Sequence, residues 1–292
     1  EVVSFISDFE NWPSWSPWLI IEPDCQLTYH GDQGSIGAGY EWNGHLVGAG
    51  SMKLVDRSPT RLDMALSFLK PFKSKAQVSF LFKDLGPKTE VTWTMDSKLP
   101  WFLFFLKNMM TSFIGLDYDK GLMMLKSKLE TGDVISKPTI IGERHQGEIH
   151  YIALKGSATI PDLGPVMTEH HNRLNAYIDE HKLDIVGPSF GLFESMNMST
   201  TQSEFLTCYP VAKPTTVGGD FISGSVPAGN TYVIEHLGEY QYMGNAWSLA
   251  MSSSRANKVK VKRKPMGMEI YVNDPDEVDV KDLKTEIVLF KK

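Results

Sequence analysis

A single pattern, strand–helix–strand–strand, occurs twice in the second half of the chain, and a repeat of that kind restricts the fold more than composition can. The first copy reads as a strand at 148–156, a helix at 164–181 and strands at 189–194 and 204–211. The second reads as a strand at 231–236, a helix at 240–255 and strands at 266–272 and 285–290. On the first helix Met167, His170, Leu174 and Tyr177 share one stripe. Both copies place a glutamate at the head of the last strand, Glu204 and Glu286. Two such units side by side predict one long antiparallel sheet of pseudo-twofold design with both helices on one face, leaving the open face or the seam between copies as a cleft.

The stretch 265–275, Pro-Met-Gly-Met-Glu-Ile-Tyr-Val-Asn-Asp-Pro, holds the most informative strand of the second copy. Proline at both ends and an Asn-Asp-Pro turn bound it. Met266, Met268, Ile270 and Val272 fall on one side, and Gly267, Glu269 and Tyr271 on the other. A carboxylate opposite an apolar face is ordinarily the wet side of a sheet. Here glycine leaves room beside it and tyrosine offers an aromatic wall, so the alternative is a cavity. There Glu269 would neutralise a bound cation, or stay protonated and donate a proton.

The first half has a different grammar. Residues 1–10 read as a short helix, broken by Asn11-Trp12-Pro13-Ser14-Trp15-Ser16-Pro17-Trp18, because neither proline fits a helix interior. The three tryptophans form either a packing plug or part of a cavity wall. Alternating segments follow across short turns: 35–42 and 48–55 around Asn43-Gly44, then Leu62/Met64/Leu66/Phe68, Val78/Phe80/Phe82 and Val91/Trp93/Met95. That is an antiparallel meander. Past Pro100, Phe113, Leu122, Leu125 and Leu129 mark a long helix ending near Gly132. The aromatic run at 101–105 reads as core or pocket lid, with membrane contact as the lesser alternative. The predicted linker is 132–138, giving domains 1–132 and 133–292.

At 292 residues the chain is long enough for two cores, and a net charge of -6 argues against a general nucleic-acid binder. Cys25 and Cys208 lie far apart without ligand spacing, which indicates a reducing, cytoplasmic setting. The most apolar run stops at Lys107, short of a membrane span. His170 and His171 are adjacent and make a poor metal pair; neither a metal nor a cofactor is expected. The basic cluster at 255–264 reads as a solvated loop or as a contact for an anionic partner or ligand tail. The chain starts at Glu1 rather than Met, so an upstream segment is expected.

Two resemblances follow from these residues. Trp12-Pro13-x-Trp15-Ser16-Pro17-Trp18, Gly37-x-Gly39-Tyr40-x-Trp42, Pro71-Phe72, Val91-Thr92-Trp93 and Lys120-Gly121-Leu122-x-x-Leu125-Lys126 resemble the polyketide cyclase/dehydrase branch of the START-like (SRPBCC) superfamily. That implies a helix-grip fold, an antiparallel sheet around a long C-terminal helix, with a pocket for hydrophobic ligands. The family's first strand normally precedes residue 1, and no catalytic residue carries over. Gly229-x-x-Tyr232-x-x-x-x-His236-x-Gly238-x-Tyr240, Ala246-Trp247, Glu269-x-Tyr271-x-Asn273-Asp274-Pro275 and Thr285-Glu286-Ile287 resemble the GyrI-like effector-binding domain, also found in multidrug-responsive transcription activators. It implies an α+β domain whose cleft floor carries a glutamate, here Glu269.

Tyr271 joins Glu269 as the first candidate pair, with Phe193 and Tyr209 as aromatic walls from the first copy. Tyr232, His236 and Trp247 complete the candidate ligand set, although a structural hydrogen bond for His236 and core packing for Trp247 stay open. Three functions fit. The first is binding or sequestration of small hydrophobic or cationic aromatic molecules, without a DNA-binding module. The second, implied by hydrolase relatives, opens reactive cyclopropane-bearing compounds with Glu269 and Tyr271. The third is a module that inhibits a protein partner.

Overall fold

The computed structural model describes residues 1–97, 107–197 and 199–292. The chain is α+β and divides into two units, Glu1–Val134 and Ile135–Lys292, each built on one antiparallel sheet. The aromatic run at 101–105 and the side chain of Phe113, both expected in the core or its lid, lie outside the described residues.

The first unit opens with α1 (Val2–Ser7), a 3-10 turn (Phe9–Ser14) and α2 (Pro17–Ile21). Pro13 is accommodated by the tighter 3-10 turn. Pro17 begins α2, where its missing N–H would have had no partner anyway. Strands β1 (Gln26–His30), β2 (Gly39–Asn43), β3 (Ala49–Ser58), β4 (Arg61–Lys70), β5 (Ser74–Asp84) and β6 (Thr89–Ser97) pair in sequence order. Helix α3 (Lys107–Thr131) follows. Of the two readings of the tryptophans, packing is what the structure shows. Trp12 and Trp15 are fully buried, and the Trp12 indole N–H donates to the Ile6 carbonyl at 2.8 Å. Trp15 and Trp18 both meet Trp93 of β6 edge-on, and Trp93 stacks flat on Tyr118 of α3 at 4.0 Å. One aromatic stack therefore ties the short helices, the sheet and α3 together. Glu22 fixes the β2–β3 turn, where its carboxylate accepts the N–H groups of His45, Leu46 and Val47.

The second unit contains β7 (Ser136–Gln146), β8 (Ile149–Thr159), α4 (Leu163–His181), β9 (Phe190–Asn197), β10 (Gln202–Val211), β11 (Ile222–Val226), β12 (Gly229–Gly238), α5 (Met243–Ala256), β13 (Gly267–Tyr271) and β14 (Lys284–Phe290). The sheet order is β11-β8-β10-β9-β13-β14-β12-β7. The two strands that the sequence did not announce, β7 and β11, are its edges. Residues 136–138, expected as linker, start β7, and Pro138 is tolerated there because an edge strand need not donate on both sides.

Strand alternation sorts the apolar residues into two layers. Leu174 of α4 packs on Ile152 and Leu154, and Met167 packs with Phe193, Phe205 and Trp247. The opposite face buries Tyr151, Phe190, Leu192, Leu206, Met268 and Val288 in a core of its own. At mid-sheet β9 and β13 pair with Glu269 opposite Gly191 and Gly267 opposite Phe193, on the side that carries both helices.

Candidate functional site

Glu269 projects from mid-sheet toward the helices. One carboxylate oxygen accepts the indole N–H of Trp247, from α5, at 2.5 Å. The other accepts the hydroxyl of Tyr271, two residues along the same strand, at 2.9 Å. No cationic side chain among the described residues forms an ion pair with it. The residue is partly buried, and both carboxylate oxygens turn in toward Trp247 and Tyr271.

Burial pushes the Glu269 carboxyl above the ordinary carboxylate range, and the donated hydrogen bonds from Trp247 and Tyr271 pull it back only in part. The balance is physically reasonable. Taking an ionised carboxylate out of water costs several kcal/mol, and each hydrogen bond to a charged group returns about 1.5–3 kcal/mol. Two neutral donors come close to offsetting the cost without removing it.

Around the carboxyl stands an aromatic wall drawn from several elements. Tyr240, in the turn before α5, meets Tyr271 edge-on at 5.5 Å, and His171 of α4 does so at 6.0 Å. Phe193 meets Trp247 edge-on at 5.5 Å. Tyr209 lies one ring further out, with its hydroxyl 3.0 Å from His171 Nδ1. The Tyr271 hydroxyl also approaches Met167 Sδ at 3.7 Å. Burial pushes Tyr240 up to about 12 and holds Tyr271 well above its usual value, so both phenols stay neutral. Burial, followed by the neighbouring His170, holds His171 below its usual value, so that ring is uncharged at neutral pH. Gly191, paired with Glu269 across β9 and β13, lets these side chains close over the strand, since a Cβ there would stand 3.0 Å from the Met167 methyl and 3.5 Å from the Tyr271 hydroxyl.

The sequence-based candidates divide accordingly. Glu269, Tyr271, Trp247 and Phe193 come together, and Tyr209 joins through His171. Trp247 packs edge-on against Phe193 and also donates its indole N–H to Glu269. Tyr232 and His236 face the same way but make their hydrogen bonds elsewhere. The Tyr232 hydroxyl accepts from Asn257 at 3.4 Å. His236 Nε2 lies 2.9 Å from Ser136 Oγ, which also accepts from Asn245. Burial lowers His236 to about 4, so it is neutral. Tyr240, His171, Met167 and Gly191 were not among the candidates, although Tyr240 stood in the quoted motif. Among the described residues no group of three or more His, Cys, Asp or Glu side chains is placed to hold a metal, and no helix is long and apolar enough to cross a membrane.

Comparison with known families decides the class of this site. Residues 143–289 match the model of the GyrI-like small molecule binding domain. The chain belongs to the GyrI-like family. Residues 1–130 match the model for polyketide cyclase / dehydrase and lipid transport, so the protein joins that domain to a GyrI-like small-molecule-binding unit. Among solved structures, EcmrR in its complex with DNA is similar at 16% identity and TM-score 0.46, over 64% of this chain and 66% of that one, just under two thirds of the regulator. SAV2435 bound to tetraphenylphosphonium is similar at 9% identity and TM-score 0.40, over 51% of this chain and 92% of that one. A hydrolase from Listeria innocua is similar at 12% identity and TM-score 0.36, over 53% and 92%. Curated proteins give no match.

Proposed function

We propose that the GyrI-like unit binds bulky aromatic cations in the hollow between α4, α5 and the sheet, with Glu269 as counter-ion and Tyr271, Trp247, Tyr240 and Phe193 as walls. One observation carries this reading: a carboxylate held by two neutral donors and no cation, among neutral aromatic rings. An entering cation supplies the absent charge and gains attraction to the ring faces. The seam position follows if 148–211 and 231–290 are duplicated units related by a pseudo-twofold axis, with β9 and β13 meeting at that axis. The direct test is titration calorimetry with tetraphenylphosphonium and tetraphenylborate, which share a shape and differ in sign. The cation is expected to bind and the borate to fail at this site; equal affinities, unchanged in Glu269→Gln, would remove the reading.

A second reading rests on the raised carboxyl. A glutamic acid whose carboxyl burial holds above its usual value, hydrogen-bonded to a tyrosine, is equipped as a general acid for opening a strained, reactive ring. Product formation from a cyclopropane-bearing electrophile, lost in Glu269→Gln, separates turnover from stoichiometric binding.

A further inference from the structure

The sheet face turned away from α4 and α5 has a depression of its own, with a volume of about 520 Å³. Small-molecule sites commonly fall between about 300 and 1,000 Å³. Its floor is apolar, formed by Leu192, Leu206, Val226 and Phe290. Tyr151 adds an aromatic side. Its ring can lie there because Gly224 stands opposite it on β11, where a Cβ would come 2.5 Å from the phenol oxygen. Burial pushes the Tyr151 hydroxyl up to about 12, so it remains a donor, and no protein acceptor engages it among the described residues.

Four charged side chains line the rim, and they are not equivalent. Glu194 pairs with Lys155 at 3.3 Å, and Glu204 accepts from Ser157 at 2.5 Å. Lys262 and Lys264 have no ion pair among the described residues. The backbone at Lys262 is nonetheless fixed: its N–H donates to the Phe290 carbonyl at 2.7 Å, and Val261 bridges Lys291. Glu194 thus has a cationic partner and Glu204 a hydroxyl, while the two exposed lysines have no ion pair among the described residues.

We propose that this depression is a second binding site, for a small amphiphile with an anionic head: the apolar body covers Leu192, Leu206 and Phe290, and Lys262, Lys264 and the Tyr151 hydroxyl hold the head. It lies on the other face of the sheet from Glu269 and offers two lysines that the Glu269 site lacks. The basic cluster at 255–264, which the Glu269 site does not use, thereby acquires a role.

Decanoate and decyltrimethylammonium, matched in apolar length, are titrated into the full chain, and reductive methylation of each lysine is followed by mass spectrometry. Decanoate is expected to bind and to slow modification of Lys262 and Lys264 several-fold, leaving the exposed Lys73 unchanged, while the ammonium compound gives no such protection. The double substitution Lys262→Glu/Lys264→Glu is expected to weaken decanoate at least tenfold, and Glu269→Gln to leave it unaltered. The proposal is overturned by absence of decanoate binding at millimolar concentration. It is equally overturned by binding that leaves both lysines modified at the unliganded rate, which would place decanoate elsewhere in the chain, or by affinity retained in the double variant.

Discussion

Asp63 in the first unit and Glu269 in the second are both carboxylates gathered into hydrogen-bond clusters, and they are shifted in opposite directions. Asp63 takes two hydrogen bonds from the Arg61 guanidinium, at 2.7 and 2.8 Å, one from Ser79 at 2.5 Å and one from Gln77 at 3.3 Å. The Arg61 hydrogen bonds hold it down at about 2, against the opposing effect of burial. Glu269 has comparable geometry from Trp247 and Tyr271 and rises instead, because burial outweighs donors that carry no charge. The difference is one cation. Asp63 brings its own counter-charge, and the proposed function gives Glu269 one from its ligand.

The contrast also sets the pH response. Asp63 has a folded value below its ordinary 3.8, so its contribution to stability is present above that pH and fades as pH falls toward 2. Glu269 has a folded value above its ordinary 4.5, so its contribution is greatest below that pH and is lost as pH rises through the folded value. Protons and cationic ligands compete for the same oxygen atoms, and cation affinity should therefore increase with pH through that window.

The largest effect is expected from Glu269→Gln. Loss of the Glu269 charge should weaken tetraphenylphosphonium by about 10- to 100-fold, the range for a lost buried charge interaction of about 1.5–3 kcal/mol. The same change should raise the thermal midpoint of the unliganded protein at pH 8, since a neutral isostere carries no desolvation cost. A lowered midpoint would mean that Glu269 is as well satisfied as Asp63. Trp247→Phe comes next: it keeps the ring and removes one donor, so affinity should fall about tenfold and the Glu269 carboxyl should titrate higher. Asp63→Asn should leave ligand binding untouched and cost about 1 kcal/mol in urea unfolding, a figure reduced for solvent screening because Arg61 is 47% exposed. Gly191→Ala should have the smallest effect, a few-fold loss of affinity by calorimetry for the bulkiest cations, because the Met167 methyl it crowds can move.

Much of this was legible from the chain alone, for reasons that can be stated residue by residue. The two-residue period puts Glu269, Tyr271 and Gly267 on one face whatever the register, and the Met167–His170–Leu174 stripe identifies the buried side of α4. What no local pattern encodes is which helix side chain reaches which strand. Tyr271 and Met167 are 104 positions apart and Trp247 is 22 from Glu269, and those contacts depend on how each helix lies across the sheet. His236 and Tyr232 satisfy the same alternation as Glu269 and still bond elsewhere, because α5 covers that part of the face with Asn245 and Asn257. Strands β7 and β11 escaped notice because edges lack a continuous apolar row: Ile140 and Ile141 are exposed, and β11 reads Ile-Ser-Gly-Ser-Val.

The most direct test is a carbon-13 NMR titration of the Glu269 side-chain carboxyl, assigned by comparison with Glu269→Gln, in the free protein and with tetraphenylphosphonium bound. The free carboxyl should titrate above the ordinary 4.5 of a glutamate, and the bound cation should move it downward. A free carboxyl that already titrates at or below 4.5, or one that the cation leaves unmoved, would contradict the assignment of Glu269 as a counter-ion awaiting its ligand.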